Sequence, residues 1–230
     1  MALINYINVE IQKDENLILK NVNLSLNNGD FLYIIGKVGS GKSSLLKTIY
    51  CEMRILKGKA RVFNYNLLAI KKKHIPFLRR KLGIVFQDFH LLTDRSVQKN
   101  LSFVLKATGW KDKKAIQKRI EEVLGQVGMS NKDYKFPHEL SEGERQRIAI
   151  ARALLNSPEV ILADEPTGHL DPETGGQIVQ LLHNISKNGT AVIMTTHNYH
   201  WVQNYPGKVM KCENQRLVEG NANMRKENNE

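Results

Sequence analysis

The 230-residue chain has few of the residues that hold small secreted or metal-stabilised folds together. It has two cysteines, Cys51 and Cys212, and they fit no metal-ligand spacing. Two thiols in a reducing compartment are most simply unpaired, so we expect neither a disulfide framework nor a zinc module. We find no internal repeat and no low-complexity linker, and the length is sufficient to bury a substantial core in one or two domains.

Long apolar runs are also absent. No stretch approaches the roughly 20 apolar residues that a membrane-spanning helix needs. The first residues, Met-Ala-Leu-Ile-Asn-Tyr, do not place a basic stretch before an apolar one, so we expect no secretory signal. Hydrophobic residues make up 41% of the chain and charged residues 25%, as in ordinary globular proteins. The protein is therefore expected in the cytoplasm.

Acidic residues are in deficit, with 23 Asp and Glu against 34 Lys and Arg, which gives a net charge of +11. The densest basic stretches are residues 71–81 and 106–119. A solvated face is the simplest interpretation of either stretch, and nucleic acid or an anionic membrane surface are the functional alternatives. Aromatic residues are not interleaved with the basic ones in a way that favours base stacking. We therefore favour a membrane-adjacent surface over nucleic acid.

The chain does have a phosphate-binding loop. Residues 36–43 read Gly-Lys-Val-Gly-Ser-Gly-Lys-Ser, between an apolar strand pattern at 31–35 and a helix-forming run at 44–49. Glycines let backbone N–H groups point at phosphate oxygens, and the helix dipole adds positive potential there. Lys42 would reach the outer phosphates, and the Ser43 hydroxyl would bind Mg²⁺. The predicted phosphate-binding residues are Gly36, Lys37, Val38, Gly39, Ser40, Gly41, Lys42, Ser43 and Ser44.

A second nucleotide motif follows further along the chain. Residues 160–164 form an apolar strand pattern that ends in Asp164, and Glu165 comes next. Asp164 would order Mg²⁺ through a water, and Glu165 would polarise the attacking water by accepting its proton. The simpler alternative is a strand that ends in ordinary solvated acids. The upstream phosphate loop favours the nucleotide site.

The early chain has the period of β-strands. Residues 3–11 and 18–26 predict two antiparallel strands ahead of the phosphate loop, and residues 58–63 and 81–86 predict two further strands.

The pattern becomes helical at residues 88–155, which include predicted helices at 115–127 and 142–155. Strand, helix and strand then follow in that order, which predicts a parallel sheet. Their predicted ranges are 160–164, 176–185 and 191–195, ahead of a small hairpin at 208–218.

These patterns predict an α/β protein with three parts. Residues 1–87 and 156–220 would form an ATP-binding core with an antiparallel β subdomain. Residues 88–155 would form a helical subdomain packed against the core. Residues 221–230 are polar and charged, and we expect them to be a disordered tail.

Four further features occur in a characteristic order. Gln87 follows a strand, Leu-Ser-Glu-Gly-Glu at 140–144 opens a helix, Pro-Thr-Gly-His-Leu-Asp at 166–171 follows the second motif, and His197 follows a strand. Each alone has an ordinary structural explanation, such as a helix N-cap at the signature serine. Together they resemble the Gln loop, signature motif, post-motif loop and switch histidine of ATP-binding cassette (ABC) ATPases. The resemblance covers residues 3–218.

The resemblance implies a P-loop NTPase fold that binds ATP and Mg²⁺. Two copies would pair head to tail, and each ATP would lie between the phosphate loop of one copy and Ser141 and Gly143 of the other. His197 would contact the γ-phosphate, and Asp171 would communicate across the dimer. The implied catalytic residues are Glu165 and His197. The implied metal ligands are Ser43, Gln87 and Asp164.

The sequence departs from the family pattern Leu-Ser-Gly-Gly-Gln at two signature positions. Glu142 would lie near the opposing γ-phosphate, which costs electrostatic energy unless it points away or pairs with a base such as Arg145. Glu144 replaces a neutral amide. We expect weaker closure or slower turnover, with ATP binding retained. The family's adenine-stacking aromatic is also missing near residues 11–13, and Tyr6 is the substitute we consider.

Within the family, residues 34–47, 78–92 and 163–168 most closely resemble ATPases of cell-division complexes. ATPases of lipoprotein-release and macrolide-exporter complexes carry similar stretches. In all three groups the ATPase works on an integral membrane subunit at the inner face of the membrane, here through the helical subdomain. Two alternatives of other classes remain. One is a soluble ABC protein that acts on nucleic acid or ribosomes, and the other is a scaffold that binds ATP without hydrolysing it.

Overall fold

The computed structural model describes residues 2–220, so the expected disordered tail at 221–230 lies outside the described residues. The strands are β1 Ile4–Lys13, β2 Asn16–Leu26, β3 Phe31–Ile35, β4 Ile55–Val62, β5 Tyr65–Asn66, β6 Leu82–Val85, β7 Val160–Asp164, β8 Ala191–Thr196, β9 Lys208–Glu213 and β10 Arg216–Glu219. The α-helices are α1 Lys42–Ile49, α2 Ile75–Arg80, α3 Val97–Ala107, α4 Lys113–Gln126, α5 Glu142–Leu154, α6 Pro172–Lys187 and α7 Tyr199–Asn204. Short 3₁₀ turns lie at Lys72–His74 and Pro137–Glu139.

The larger sheet has six strands in the order β10-β9-β3-β8-β7-β6. Strand β3 pairs in parallel with β8 and β9, and β7 pairs in parallel with β6 and β8. Within residues 2–220, only β10 runs antiparallel in this sheet, to β9. The predicted parallel sheet is confirmed. Its consequence for the site is that the strands carrying the two nucleotide motifs end at the same edge.

The smaller sheet is antiparallel, with the order β2-β1-β4-β5. The predicted pairing of the first two strands is confirmed. Strand β4 starts earlier than the sequence pattern indicated, at Ile55, because this residue pairs with Ile11 of β1. This sheet extends the core beside the phosphate loop.

Three helices, α3, α4 and α5, lie between β6 and β7. Side-chain caps fix where two of them begin: Ser96 accepts a hydrogen bond from the Lys99 N–H, and Asp112 accepts from the Lys114 and Ala115 N–H groups.

Two short helices, α2 and α7, were not foreseen, and α6 starts at Pro172 instead of residue 176. The earlier start of α6 follows from the Asp171 N-cap and from a proline in the first turn, where its missing N–H costs nothing.

Two hydrophobic clusters cover the two faces of the large sheet, and β3 contributes to both because successive side chains alternate across a strand. Phe31, Tyr33 and Ile35 pack with residues of α3, α4, α5 and α6. Leu32 and Ile34 pack with the antiparallel sheet and α1. The helices at residues 97–154 therefore share a core with the sheet. Among residues 2–220, no helix has the length and apolar character that crossing a membrane requires.

A buried histidine ties α6 to the strand that leads into the phosphate loop. His183 is 7% exposed, and its Nε2 shares a hydrogen bond of 2.9 Å with the Tyr33 hydroxyl. Its ring stacks on Phe31 with centroids 3.7 Å apart. Burial, with a smaller contribution from the positive charge of Lys187, lowers the pKa of His183 from 6.5 to about 4.

This lowered pKa predicts a loss of stability in mild acid. The unfolded chain protonates His183 near its ordinary pKa while the folded chain does not, so stability falls as the pH drops from about 6.5 towards 4. We expect His183 to remove about 2 kcal/mol of unfolding free energy between pH 7.5 and pH 5. Urea titrations of the wild type and His183→Gln would show this loss only in the wild type. His74→Gln, at an exposed histidine, should keep the wild-type dependence, and an equal dependence in all three proteins would contradict the assignment.

Candidate functional site

The phosphate loop lies between β3 and α1 and depends on glycine at defined positions. Gly39 and Gly41 have φ angles of 81° and 102°, which side chains rarely adopt. A Cβ on Gly41 would lie 2.8 Å from Cγ2 of Ile18, so the β1–β2 hairpin packs directly on the loop. In the part of the chain that the structure describes, no side chain caps the start of α1, which leaves its N-terminal N–H groups to bind an anion.

The loop also holds a buried hydroxyl that lacks a protein partner. Ser40 Oγ is buried and has no hydrogen-bond partner among the residues that the structure describes. A Cβ on Gly36 would lie 2.6 Å from this oxygen. An unpartnered buried hydroxyl is costly unless something satisfies it. Beside a helix N-terminus rich in N–H donors, the partner that fits is a phosphate oxygen.

Lys42 is held at the inner side of the loop. Its side chain is 5% exposed, and its Nζ donates to the carbonyls of Gly36 at 2.9 Å and Lys37 at 3.2 Å. The same ammonium lies 3.1 Å from Oε1 of Glu165, whose side chain is 10% exposed. The lysine of the first motif and the acid of the second therefore form a buried ion pair, although they are far apart in the sequence.

Asp164 ends β7 and is held by two hydroxyls. Ser43 donates to its Oδ1 at 3.0 Å, and Thr195 donates to the same oxygen at 2.6 Å. Thr195 also accepts the Glu165 N–H at 2.9 Å. The sheet register pairs Asp164 with Thr195, so the contact follows from the parallel alignment of β7 and β8. The sequence interpretation missed Thr195. The available signal was its place two residues before His197 at a strand end.

Glu165 has a backbone conformation that places its carboxylate. Its φ is 45°, in the left-handed region that is unfavourable for most residues. Its Oε2 accepts the His197 N–H at 3.3 Å and lies 3.0 Å from Nδ1 of the same residue. The two carboxylate oxygens thus face a lysine and a histidine. This arrangement suits a carboxylate that accepts a proton beside a phosphate group.

Gln87 begins the segment that joins the sheet to the helices, which we call the Gln loop (residues 87–92). A Cβ on Gly168 would lie 3.7 Å from Gln87 Nε2, so the amide lies beside the turn that follows Glu165. Asp88 Oδ1 lies 3.5 Å from His169 Nε2 in the same turn. The Gln loop therefore contacts the loop after the second motif.

Ser141 and Gly143 lie at the start of α5. Ser141 caps this helix by accepting the Glu144 N–H at 3.2 Å. Gly143 is buried, and a Cβ there would lie 2.4 Å from Cγ2 of Thr174 on α6. Asp171 accepts N–H hydrogen bonds from Thr174 and Glu173. The side chain of Thr174 first, and these N–H groups second, hold the pKa of Asp171 below its ordinary value. Gly143 and Asp171 therefore both contact Thr174 of α6.

The two unusual signature acids are both paired. Glu142 Oε1 lies 3.6 Å from Arg145 Nη2, which is the pairing that the sequence suggested could offset its charge. Glu144 accepts the Ser141 N–H at 2.9 Å and pairs with Lys132 at 2.9 Å. The backbone hydrogen bond first, and Lys132 second, hold the pKa of Glu144 below its ordinary value. Glu144 is therefore part of the helix cap.

The idea that Tyr6 stacks on adenine is wrong. The Tyr6 ring is 1% exposed, and its hydroxyl hydrogen-bonds to Thr48 Oγ1 at 3.0 Å on α1. Burial raises its pKa well above the ordinary value. The ring belongs to the core between the antiparallel sheet and α1, because its position on β1 faces inward.

Comparison with known proteins identifies the family of this chain. The ABC transporter family profile matches residues 19–168, which include the phosphate loop, the Gln loop, the signature motif and the second acidic motif. The chain therefore belongs to the ABC transporter family, as one of its ATP-binding, ATP-hydrolysing cassettes.

Within the ABC transporter family, the chain is similar to cell division ATP-binding proteins. The chain is 44% identical over 200 residues to the cell division ATP-binding protein FtsE of Streptococcus pneumoniae (serotype 2, strain D39), covering 87% of this chain and 86% of that protein. It is 42% identical to FtsE of Bacillus subtilis (strain 168), covering 87% of each. The solved dimeric cassette MJ0796, bound to ADP and Pi, superposes with a TM-score of 0.83 at 32% identity, covering 95% of this chain and 98% of that one.

The loop geometry predicts different outcomes at two glycines. In Gly36→Ala the new Cβ would meet Ser40 Oγ at 2.6 Å and the Cys212 carbonyl at 2.7 Å, so the loop must shift. In Gly39→Ala nothing lies within 4 Å, and only the φ of 81° opposes the side chain. We expect Gly36→Ala to lose about 3 kcal/mol of stability and most ATP affinity, and Gly39→Ala to lose about 1 kcal/mol. Thermal unfolding and titration with a fluorescent ATP analogue measure both quantities, and equal losses would contradict this account of the loop.

Proposed function

We propose that this chain is the ATPase subunit of a membrane complex that acts in cell division and cell-wall remodelling. ATP binding would close a head-to-tail dimer, and hydrolysis would reopen it. The observation that carries the proposal is the buried contact of Glu165 with Lys42 and His197 at the end of the phosphate loop. The 44% identity to an FtsE protein supplies the cellular setting.

The residues divide the hydrolysis step between them. Glu165 accepts a proton from the attacking water, and His197 orients that carboxylate through its N–H and Nδ1. Lys42 and the N–H groups of the loop stabilise negative charge on the phosphates. Mg²⁺ would neutralise phosphate oxygens, and Ser43, Asp164 and Gln87 would hold it. The Ser43 hydroxyl and Asp164 carboxylate, 3.0 Å apart, are oxygen donors of the kind this ion prefers.

The dimer would complete each nucleotide pocket. Ser141 and Gly143 begin α5, and a helix N-terminus attracts the phosphates of a nucleotide bound to the other copy. Asp171, exposed at the start of α6 beside Thr174, is placed to respond to the same interface. The dimeric arrangement of the MJ0796 cassette supports this assembly.

The helical subdomain offers a surface for a membrane subunit. Four large apolar side chains are exposed there: Leu92 38%, Phe103 49%, Tyr134 66% and Phe136 36%. Hydrogen bonds bring the segments that carry Leu92 and Tyr134 to α3, since the Leu92 N–H donates to Asn100 Oδ1 and the Gln98 N–H donates to the Asp133 carbonyl. We assign this patch to an FtsX-like integral membrane protein, which would hold the ATPase at the inner face of the membrane. Membrane subunits of lipoprotein-release or macrolide-exporter complexes are the alternative.

A scaffold that binds ATP without turnover is the candidate from another class. The paired acids Glu142 and Glu144 in the signature motif are the observation that favours it. The intact contacts of Glu165 favour hydrolysis.

Glu165→Gln should stop the chemistry and trap the dimer. Removing the base should slow ATP hydrolysis at least about 100-fold, while ATP binding remains. Light scattering should then show an ATP-dependent dimer. A thiol-to-amine crosslinker should join Ser141→Cys to Lys37 in the partner copy's phosphate loop. The matched control is Glu159→Gln, which removes a Glu–Lys pair, with Lys81, at the other end of β7. A Glu165→Gln protein that stays monomeric with ATP, or hydrolyses it at the wild-type rate, would refute the mechanism.

Replacing the two acids of the signature motif should raise the rate of ATP hydrolysis. Glu142→Gly or Glu142→Gln removes a charge near the opposing triphosphate, and we expect the ATPase rate to increase about 2- to 5-fold. Glu144→Gln should raise the ATPase rate less, because a glutamine can still accept the Ser141 N–H and cap the helix. Steady-state ATPase assays, with Glu173→Gln as a neighbouring acidic control, measure the effect. No increase in either Glu142 variant would show that this residue does not restrain turnover.

A further inference from the structure

The Gln loop is held in an unfavourable backbone conformation. Phe89 and His90 are consecutive non-glycine residues with φ angles of 56° and 49°. Such angles persist only where surrounding contacts compensate for them. The contacts that do so here come from α5, the helix that begins with the signature motif.

The first contact comes from Arg152 in the last turn of α5. Its guanidinium donates Nη2 to the Phe89 carbonyl at 2.8 Å and Nη1 to the His90 carbonyl. The guanidinium carbon also lies 6.0 Å from the Phe86 ring centroid, and Phe86 stacks on His90 with centroids 4.4 Å apart. Burial lowers the pKa of Arg152 to about 10, which still leaves it charged at neutral pH. Both carbonyls of the strained residues are therefore fixed by one side chain.

The second contact comes from Arg145, near the start of the same helix. Its guanidinium carbon lies 5.1 Å from the Phe89 ring centroid, in a cation–π geometry. The same guanidinium pairs with Glu142, next to Ser141. Its Nε is buried without a hydrogen-bond partner among residues 2–220, so the guanidinium depends on the ring and the carboxylate.

The two arginines lie on one face of α5, because seven residues make about two helical turns. Arg152 binds the carbonyls of Phe89 and His90, and Arg145 lies against the ring of Phe89. The loop that contains Gln87 is thereby fastened to the helix that begins after Ser141. No other element supplies side-chain hydrogen bonds to Phe89 or His90 within the described residues.

We propose that Arg145 and Arg152 are positioning residues that make the Gln loop and the signature helix move as one body. A push on the loop from a docked partner would then displace Ser141 relative to the nucleotide of the opposing copy. Arg145 also keeps the Glu142 carboxylate turned to its own helix. The coupling rests on the proposed dimeric ATPase function, whereas the fastening itself is a property of the single chain.

The fastening can be tested without nucleotide, by hydrogen exchange of the full chain. Phe89→Leu keeps an apolar side chain but removes the ring from Arg145. We expect the Glu144 and Arg145 amides, far away in the sequence, to exchange about 2- to 5-fold faster. Arg145→Gln should speed exchange across residues 87–92 by a similar factor, and Arg145→Lys should restore most of the protection. Arg152→Lys, which loses the paired contact with two carbonyls, should speed exchange there about 10-fold.

The matched control is Arg80→Gln, which removes an arginine 5.2 Å from the Phe77 ring, outside the Gln loop. This variant should leave amide exchange unchanged both in residues 87–92 and at Glu144 and Arg145. Unchanged exchange of the Glu144 and Arg145 amides in Phe89→Leu, or effects of Arg80→Gln equal to those of Arg145→Gln, would overturn the proposal. Faster exchange throughout the chain would also overturn it, since that outcome means general destabilisation.

Steady-state kinetics test whether the fastening affects ATP hydrolysis. Because the phosphate loop is untouched, Arg145→Gln should lower kcat about 3-fold and leave KM for ATP unchanged, and Arg145→Lys should recover the rate. A rise in KM with constant kcat would overturn the positioning role. If the wild type does not hydrolyse ATP, the proposed function fails, and the hydrogen-exchange result still decides whether the arginines fasten the loop.

Discussion

The buried ion pair between Lys42 and Glu165 is the contact on which the rest of the site depends. Each charge would be costly to bury alone, and each compensates the other at 3.1 Å. The pair joins the loop after β3 to the end of β7, although β8 lies between these strands in the sheet. Thr195, from β8, closes the gap by binding both Asp164 and the Glu165 backbone. One network of hydrogen bonds and ion pairs thus positions Lys42, Asp164 and Glu165, the last two being the proposed metal ligand and the proposed base.

The signature helix, α5, makes contacts at its first turn and also along its length. Its first turn would present Ser141 to another copy in the proposed dimer, and Gly143 allows it to pack closely on α6. Its arginines hold the Gln loop, which also contacts the turn after Glu165 through Asp88 and His169. A single helix therefore contacts the α6 start, the Gln loop and, in the proposed dimer, the opposing nucleotide. In that dimer, a movement of α5 would change all three contacts.

Much of this architecture could be predicted from the sequence, because it depends on local periodicity and on short motifs. The phosphate loop, the acidic strand end at Asp164 and the parallel sheet follow from patterns within a few residues. The errors have physical reasons. Tyr6 looked available to a base, but the strand face that it occupies is decided by pairing with β2 and β4. Thr195 carried no motif of its own, and its role comes from its register with Asp164.

The sequence by itself determined the class of site, because a glycine-rich loop before a helix binds phosphate, and a carboxylate at a neighbouring strand end can act on that phosphate only through a metal ion or a water. It also determined that Glu142 is unusual. It also offered Arg145 as the partner of Glu142, because the two residues are three positions apart on one helix. Only the tertiary structure decided how Glu144 and Glu165 are paired. Their partners Lys132 and His197 come from a different turn and from the end of a different strand. Which side chain reaches these two carboxylates depends on the packing of α5 and the order of the strands, and no local pattern encodes that distance.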